Sequence, residues 1–195
     1  MFNLDGLKQI TEAVALNYLA SHIPLDSLQC LNEPIDLYSI NAKDAPSDGL
    51  GKAKSEIKDA TEWPDSILDN VRSEDEVQIY QDANLTVETV DGKDCLVRTD
   101  IDYEQIVDGE TNLERMKQGK APVTRDEQLV ELHHIGQKTD STFAELTTLE
   151  HRGPGNDMIL HDKTRDSEID RYAFRYERET YWKNRAAIIE NAKNG

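Results

Sequence analysis

Apolar residues recur at helical intervals near both ends of this chain and gather into short runs in its middle. Leu4, Leu7, Ile10, Val14 and Leu19 predict an amphipathic helix over residues 4–21. From 41 to 60 the pattern lapses: Pro46, Gly49, Gly51 and many charges read as a linker, with a boundary near residue 62. Beyond it Pro64 can open a short helix ending near Val71, and Ser73 with Glu76 has capping-box spacing for a helix through Ala83. Leu85 to Val90 and Asp94 to Arg98 flank Asp91-Gly92, which predicts a β-hairpin.

Thr111 and Glu114 form a second capping box, and Gly119 followed by Pro122 ends that helix after about two turns. The run Leu129 to His134 is the next strand. Thr147 with Glu150 has the spacing to cap a turn carrying His151, Gly153-Pro154-Gly155 breaks it, and Asn156 is placed to cap the turn that carries His161. From Ser167 a last helix carries Ile169, Tyr172, Ala173, Tyr176, Trp182, Ala186 and Ile189, an apolar stripe expected to face the core. There are no internal repeats and no low-complexity tracts.

With 195 residues, 37% hydrophobic and 31% charged, the chain fits one or two small domains, divided here into residues 1–61 and 62–195. No run of about 18 apolar residues exists, so no membrane insertion is expected. Nor is there the basic segment, apolar core and small-residue cleavage site of a general secretory signal. Cys30 and Cys95 lie far apart without CxxC spacing, which excludes a structural zinc knuckle and leaves free thiols as the expectation.

The net charge of −17 argues against a nucleic-acid partner until its distribution is considered. Residues 1–94 hold 7 Lys and Arg against 19 Asp and Glu, whereas residues 95–195 hold 15 against 20. In that second half Arg165, Arg171, Arg175, Arg178, Lys183 and Arg185 gather and could form a phosphate-facing patch. A solvated helix face of alternating charge would look the same.

The chemistry concentrates in four of the five histidines, His133, His134, His151 and His161. Imidazole is the commonest protein ligand for transition metals and the side chain that most readily exchanges a proton near neutral pH. On a strand His133 and His134 point to opposite faces, so one can bind a metal while the other stays free. His133, His151 and His161 then offer three ligands and leave a coordination position open, a set that suits Zn²⁺, Ni²⁺, Mn²⁺ or weakly held Mg²⁺. His134, unliganded and titrating near 7, could take a proton from water while a cation polarises a phosphoryl oxygen. A structural metal site in a non-catalytic interaction module is the alternative, and His22, beside Ile23-Pro24, reads as structural.

The segment Glu131-Leu132-His133-His134-Ile135-Gly136-Gln137, with Glu145-Leu146-Thr147, Glu150-His151-Arg152-Gly153, Asn156 and Leu160-His161, resembles the LHH nuclease family of the HNH/endonuclease VII superfamily. Arg98 to Asp102, Thr111 to Met116, Ile169-Asp170-Arg171 and Tyr181-Trp182 extend the similarity over roughly residues 62–185. The resemblance implies an α+β fold around a ββα-metal (His-Me finger) core with flanking helices. It implies His134 as general base, His133, His151 and His161 as metal ligands, Asn156 as a further or replacement ligand, and Gln137 and Arg152 as groups that orient the base or hold phosphate. Asn156 as a helix cap, and Gln137 and Arg152 as surface residues, are the open alternatives. Glu127 departs from the family, where a glycine often follows the aspartate. Such proteins are mostly carboxy-terminal domains of bacterial toxins, secreted or injected by a specialised system, acting in the target-cell cytoplasm on DNA (RNA being possible) and neutralised by a cognate immunity protein. Residues 1–61 would then be the remnant of a delivery region.

Overall fold

In the computed structural model, the residues described are Leu50, 53–164 and 166–194. The helix expected over 4–21, His22, Cys30 and Arg165 lie outside the described residues. All the described residues belong to one compact unit, residues 46–195.

Part of the expected linker is helical. Ala53–Thr61 form helix α1, whose charges are surface ion pairs: Lys58 Nζ meets Asp65 Oδ2 at 2.8 Å, and Lys54 reaches Asp65 and Asp69. Pro64 caps the single turn α2 (Asp65–Leu68), and Ser73 caps α3 (Glu74–Asp82) by accepting from the Glu76 backbone N–H at 3.2 Å. The reciprocal half of that capping box does not form. Glu76 turns its carboxylate inward and is fully buried.

Strands β1 (Thr86–Val90) and β2 (Lys93–Val97) make the expected hairpin, in register from Thr86↔Val97 to Val90↔Lys93. Asp91 and Gly92, at φ 53° and 75°, supply the two left-handed residues of a tight two-residue turn. A small ribbon of β3 (Ile106–Val107) and β4 (Glu110–Thr111) leads into α4 (Asn112–Lys117), which opens on the complete Thr111/Glu114 capping box. In the turn ahead of the next strand Glu127 holds φ 58°, the left-handed backbone a glycine would adopt without strain.

Strand β5 (Val130–His134) passes through a 3₁₀ turn (Ile135–Gln137) to β6 (Phe143–Thr147), a strand the sequence pattern did not predict. Every residue of β6 is buried, so it lacks the in-out alternation of a half-exposed strand. After it come α5 (Thr148–Arg152), α6 (Asn156–Leu160) and the long α7 (Arg171–Asn194). The four-stranded sheet has the order β1-β2-β6-β5, antiparallel except for β2 against β6. With its surrounding helices it makes the expected α+β fold.

Alternate residues feed two separate cores. Leu96, Ala144 and Leu146 pack with Trp63, Ile67, Tyr80 and Leu160 on one face, while Val97, Leu132 and Phe143 pack with Met116, Tyr181 and Trp182 on the other. Across the second face Glu145 anchors α7, accepting from Tyr181 Oη at 2.8 Å, Arg185 Nε at 3.2 Å and the Arg98 backbone N–H at 2.8 Å.

The apolar stripe of α7 divides. Trp182, Ala186 and Ile189 are buried as expected, but Tyr172 and Tyr176 are 79% and 66% exposed. Trp182 lies six positions after Tyr176, a rotation of about 240° at roughly 100° per residue, so the two sets occupy different faces.

Candidate active site at the sheet edge

Strand β5 is the outer strand of the sheet and ends at His134. The end of an edge strand lets side chains from both faces reach one opening, so the opposed directions of His133 and His134 are reconciled in a single cavity of about 380 Å³. Its walls include His133, His134, His151, His161, Arg171, Phe174 and Arg178.

His133 lies across from Ala144, whose methyl group leaves room for an imidazole between strand and helices. The Thr147/Glu150 capping box starts α5 and turns His151 back toward the strand. His161 is the residue that ends α6. Three nitrogens converge: His133 Nδ1 is 3.1 Å from His151 Nε2, His151 Nε2 is 3.1 Å from His161 Nε2, and the donor atoms of all three lie within 4.8 Å of one another.

The outward nitrogens have carboxylates behind them. His151 Nδ1 is 2.7 Å from Glu131 Oε2, and His161 Nδ1 is 3.0 Å from Asp157 Oδ1 and 3.1 Å from the Asp157 carbonyl. Each carboxylate calls for the Nδ1–H tautomer, which leaves a lone pair on the Nε2 that faces the centre. Two bare lone pairs at 3.1 Å repel each other unless a proton or a cation lies between them. An ion with 2.0–2.1 Å bonds to nitrogen holds its ligands about 3.0 Å apart at octahedral angles and about 3.4 Å apart at tetrahedral ones, and the two 3.1 Å spacings from His151 match that range.

Burial dominates the electrostatics. It lowers the pKa of His151 to about 4, with the neighbouring His133 adding to the effect and Glu131 opposing it. It lowers His133 as well, against the pull of Glu76. His134 is lowered to about 4, by burial first and by His133 and Lys93 after that, so the value near 7 expected from the sequence is corrected downward. At neutral pH His134 is uncharged.

His134 keeps out of the triad. Its ring packs against Phe143 at 4.6 Å and Phe174 at 4.5 Å between centroids, and its Nε2 is 3.2 Å from Glu177 Oε2 without hydrogen-bond alignment.

The other site residues expected from the sequence make contacts of their own, Gln137 and Arg152 from positions in the cavity wall. Gln137 Oε1 accepts from the Asp162 backbone N–H at 2.6 Å and from Arg72 Nη1 at 3.3 Å, so it ties the turn after β5 to the segment after His161. Arg152 lines the cavity with its Nε on Glu131 Oε2 at 2.9 Å, and its side chain is 62% exposed. Asn156 is not the helix cap, which is Gly155; its amide donates to the Glu150 carbonyl at 2.8 Å and binds α6 to α5.

The expected basic patch is partly dispersed. Arg185 is buried on Glu145 and Glu88, and Arg175 pairs with Glu179. Arg171 and Arg178 remain at the cavity without a carboxylate partner among the described residues, Arg178 lying 5.0 Å from the Phe174 ring centroid.

Sequence reasoning missed the supporting carboxylates. Glu131 and Asp157 carry a local signal: Glu131 shares a strand face with His133 two residues on, and Asp157 precedes His161 by one helical turn. Glu76 carries none.

Residues 111–187 match the family described as LHH, a nuclease of the HNH/ENDO VII superfamily with conserved LHH. This part of the chain is similar to the LHH nuclease family. The matched stretch contains β5, β6, α5 and α6 and therefore all four cavity histidines. No solved structure matches the chain significantly. Among the described residues no helix is long and apolar enough to cross a membrane.

Proposed function

We propose that this protein is a metal-dependent endonuclease that hydrolyses the phosphodiester backbone of DNA without reading sequence. The observation that carries this is the convergence of His133, His151 and His161 on one point, beside a buried, unliganded His134. His133 Nδ1, His151 Nε2 and His161 Nε2 would hold the cation, with Zn²⁺, Mn²⁺, Ni²⁺ and Mg²⁺ all compatible with imidazole and water. When bound, a divalent ion supplies Lewis acidity at a phosphoryl oxygen and stabilises the departing alkoxide.

The protein's own groups do the rest. His134 receives the proton of the attacking water; it is neutral beforehand, and an incoming phosphate anion raises its basicity from the low resting value. Phe143 and Phe174 hold that ring in place. Arg171 and Arg178 meet phosphates on either side of the reacting one, a role for which arginine's fork of donors is suited. Arg152 can leave Glu131 for a phosphate oxygen, because its side chain lines the cavity and is largely exposed.

Purified protein incubated with plasmid and with total RNA, each with divalent metal or chelator, tests the assignment. Nicking of plasmid is expected, abolished by chelator and by His134→Ala, while His134→Ala retains metal binding. Cleavage of RNA alone would transfer the activity to RNA, and inert protein with bound metal would favour an interaction module. We further propose that the nuclease is an antibacterial toxin delivered by a specialised system into the target-cell cytoplasm and restrained by an immunity protein. The family resemblance supports this, and expression in a naive bacterium tests it: growth arrest should depend on His134 and be relieved by a neighbouring gene.

A further inference from the structure

Of the three triad imidazoles, His133 alone has no carboxylate oxygen within hydrogen-bond distance behind it. Its inward atom is Nδ1, so with a cation on that atom the neutral ring carries its proton on Nε2, and that buried nitrogen has no hydrogen-bond partner. The nearest acceptor is Glu76 Oε1 at 3.9 Å, about 1 Å beyond an N–H···O bond.

Glu76 is an unusual residue to find there. It sits in the first turn of α3, where its usual task would be to close the Ser73 capping box at the surface, yet it is wholly buried. Oε1 accepts from Tyr80 Oη at 2.6 Å and from the Gly136 backbone N–H at 3.1 Å, and Oε2 accepts from the Arg72 backbone N–H at 2.9 Å. Gly136 lies in the turn that follows His133 and His134, so one carboxylate grips the end of β5 and faces the ring of its first histidine. Burying an anion is costly, and Arg72, with Nε 3.6 Å from Oε2, compensates it only in part. A protonated Nε2 on His133 would complete the set.

We propose that Glu76, from outside the family-matched stretch, is the positioning residue for His133: it accepts the Nε2–H and so fixes Nδ1 as the atom that faces the cation. This rests on the metal-site reading above. It makes α3 a working part of the nuclease rather than a lead-in, and gives each of the three imidazoles a carboxylate from a different element: Glu131 on β5, Asp157 on α6 and Glu76 on α3.

The test uses full-length protein and Zn²⁺ alone, with affinity measured by competition against a chromophoric chelator. Glu76→Gln should weaken zinc binding about 10- to 100-fold, the range typical of groups that orient metal ligands. Tyr80→Phe, which removes a donor but leaves the carboxylate, should stay within about 3-fold of wild type, well short of that loss. Because Glu76→Gln could also disturb folding, ¹⁵N NMR of the imidazoles in zinc-loaded wild type gives an independent reading: His133 should carry its proton on Nε2. Wild-type affinity in Glu76→Gln, or a proton on Nδ1 of His133, overturns the proposal while leaving the metal site intact. Zinc affinity that His161→Ala does not change overturns the metal site itself, and this proposal with it.

Discussion

Gly136 offers the sharpest check on how the turn after β5 is built. It holds φ 69°, and a Cβ placed on it would lie far inside van der Waals contact with the Asn70 carbonyl oxygen and 3.2 Å from the Asn70 carbonyl carbon. Neither atom can rotate away, because both are backbone. Gly136→Ala therefore combines three costs: a left-handed alanine at about 1 kcal/mol, overpacking at about 1–3 kcal/mol, and a weakened Gly136 N–H to Glu76 bond at about 1–3 kcal/mol. Relief of one worsens another, so the sum is not simple, and about 3–5 kcal/mol is expected. Gly92→Ala is the control, with φ 75° and nothing within 4 Å of the added carbon. It should lose only the left-handed contribution, about 1 kcal/mol. Urea unfolding followed by circular dichroism gives both values, and at roughly 3 °C per kcal/mol the melting temperatures should separate by about 6–12 °C. If the two variants unfold together, the close approach of Gly136 to Asn70 is not a feature of the folded protein, and the contact from Gly136 to Glu76 loses its support.

Other consequences are equally open to measurement. Glu145→Ala strands the buried Arg185 cation and removes the acceptor of Tyr181 and of the Arg98 N–H, so urea unfolding should show a loss of about 3–5 kcal/mol; a loss under about 1 kcal/mol would mean Glu88 alone satisfies Arg185. Arg171→Ala and Arg178→Ala should each weaken binding to duplex DNA and reduce the slope of log affinity against log salt by about 0.9, read by fluorescence anisotropy; unchanged slopes would remove them from the DNA contact. The hydrogen bond from Arg98 holds the Asp100 carboxyl below its ordinary range. A depressed carboxyl stabilises the fold above its unfolded pKa and loses that contribution as pH falls through the folded value, so metal-free protein should weaken below roughly pH 4, and Asp100→Asn should flatten that acid limb of the stability curve.

What could be read from the sequence was what short-range chemistry decides. The Thr111/Glu114 and Thr147/Glu150 boxes are complete in the structure because both partners lie within one turn, and Asp91-Gly92 makes its hairpin because two left-handed residues leave the chain few alternatives. Strand β6 escaped notice for the opposite reason: Phe-Ala-Glu-Leu-Thr has no alternation, and a glutamate at its centre argues against burial until Arg98, Tyr181 and Arg185 arrive from distant segments to satisfy it. Helix α1 was masked by charge, since lysines and aspartates that pair between α1 and α2 look in sequence like the composition of a loop.

The site divides along the same line. Histidine is scarce here, with 5 in 195 residues, so four in one stretch stand out; carboxylates number 39, and no single one does. Glu131 and Asp157 are close in sequence to the rings they serve and differ from other acids only in their phase, strand period for one and helix period for the other. Glu76 has no phase relation to His133 at all. Its position follows from how α3 docks under the end of β5, through Tyr80 and Ile79 in the core and through the Gly136 turn. A metal site assembled in this way inherits the stability of the docking: loosening α3 should release the His133 ring before it disturbs His151 or His161, whose carboxylates travel with β5 and α6. Weak metal binding with an intact His151–Glu131 pair would therefore point to α3, and loss of all three imidazoles together would point to the sheet edge itself.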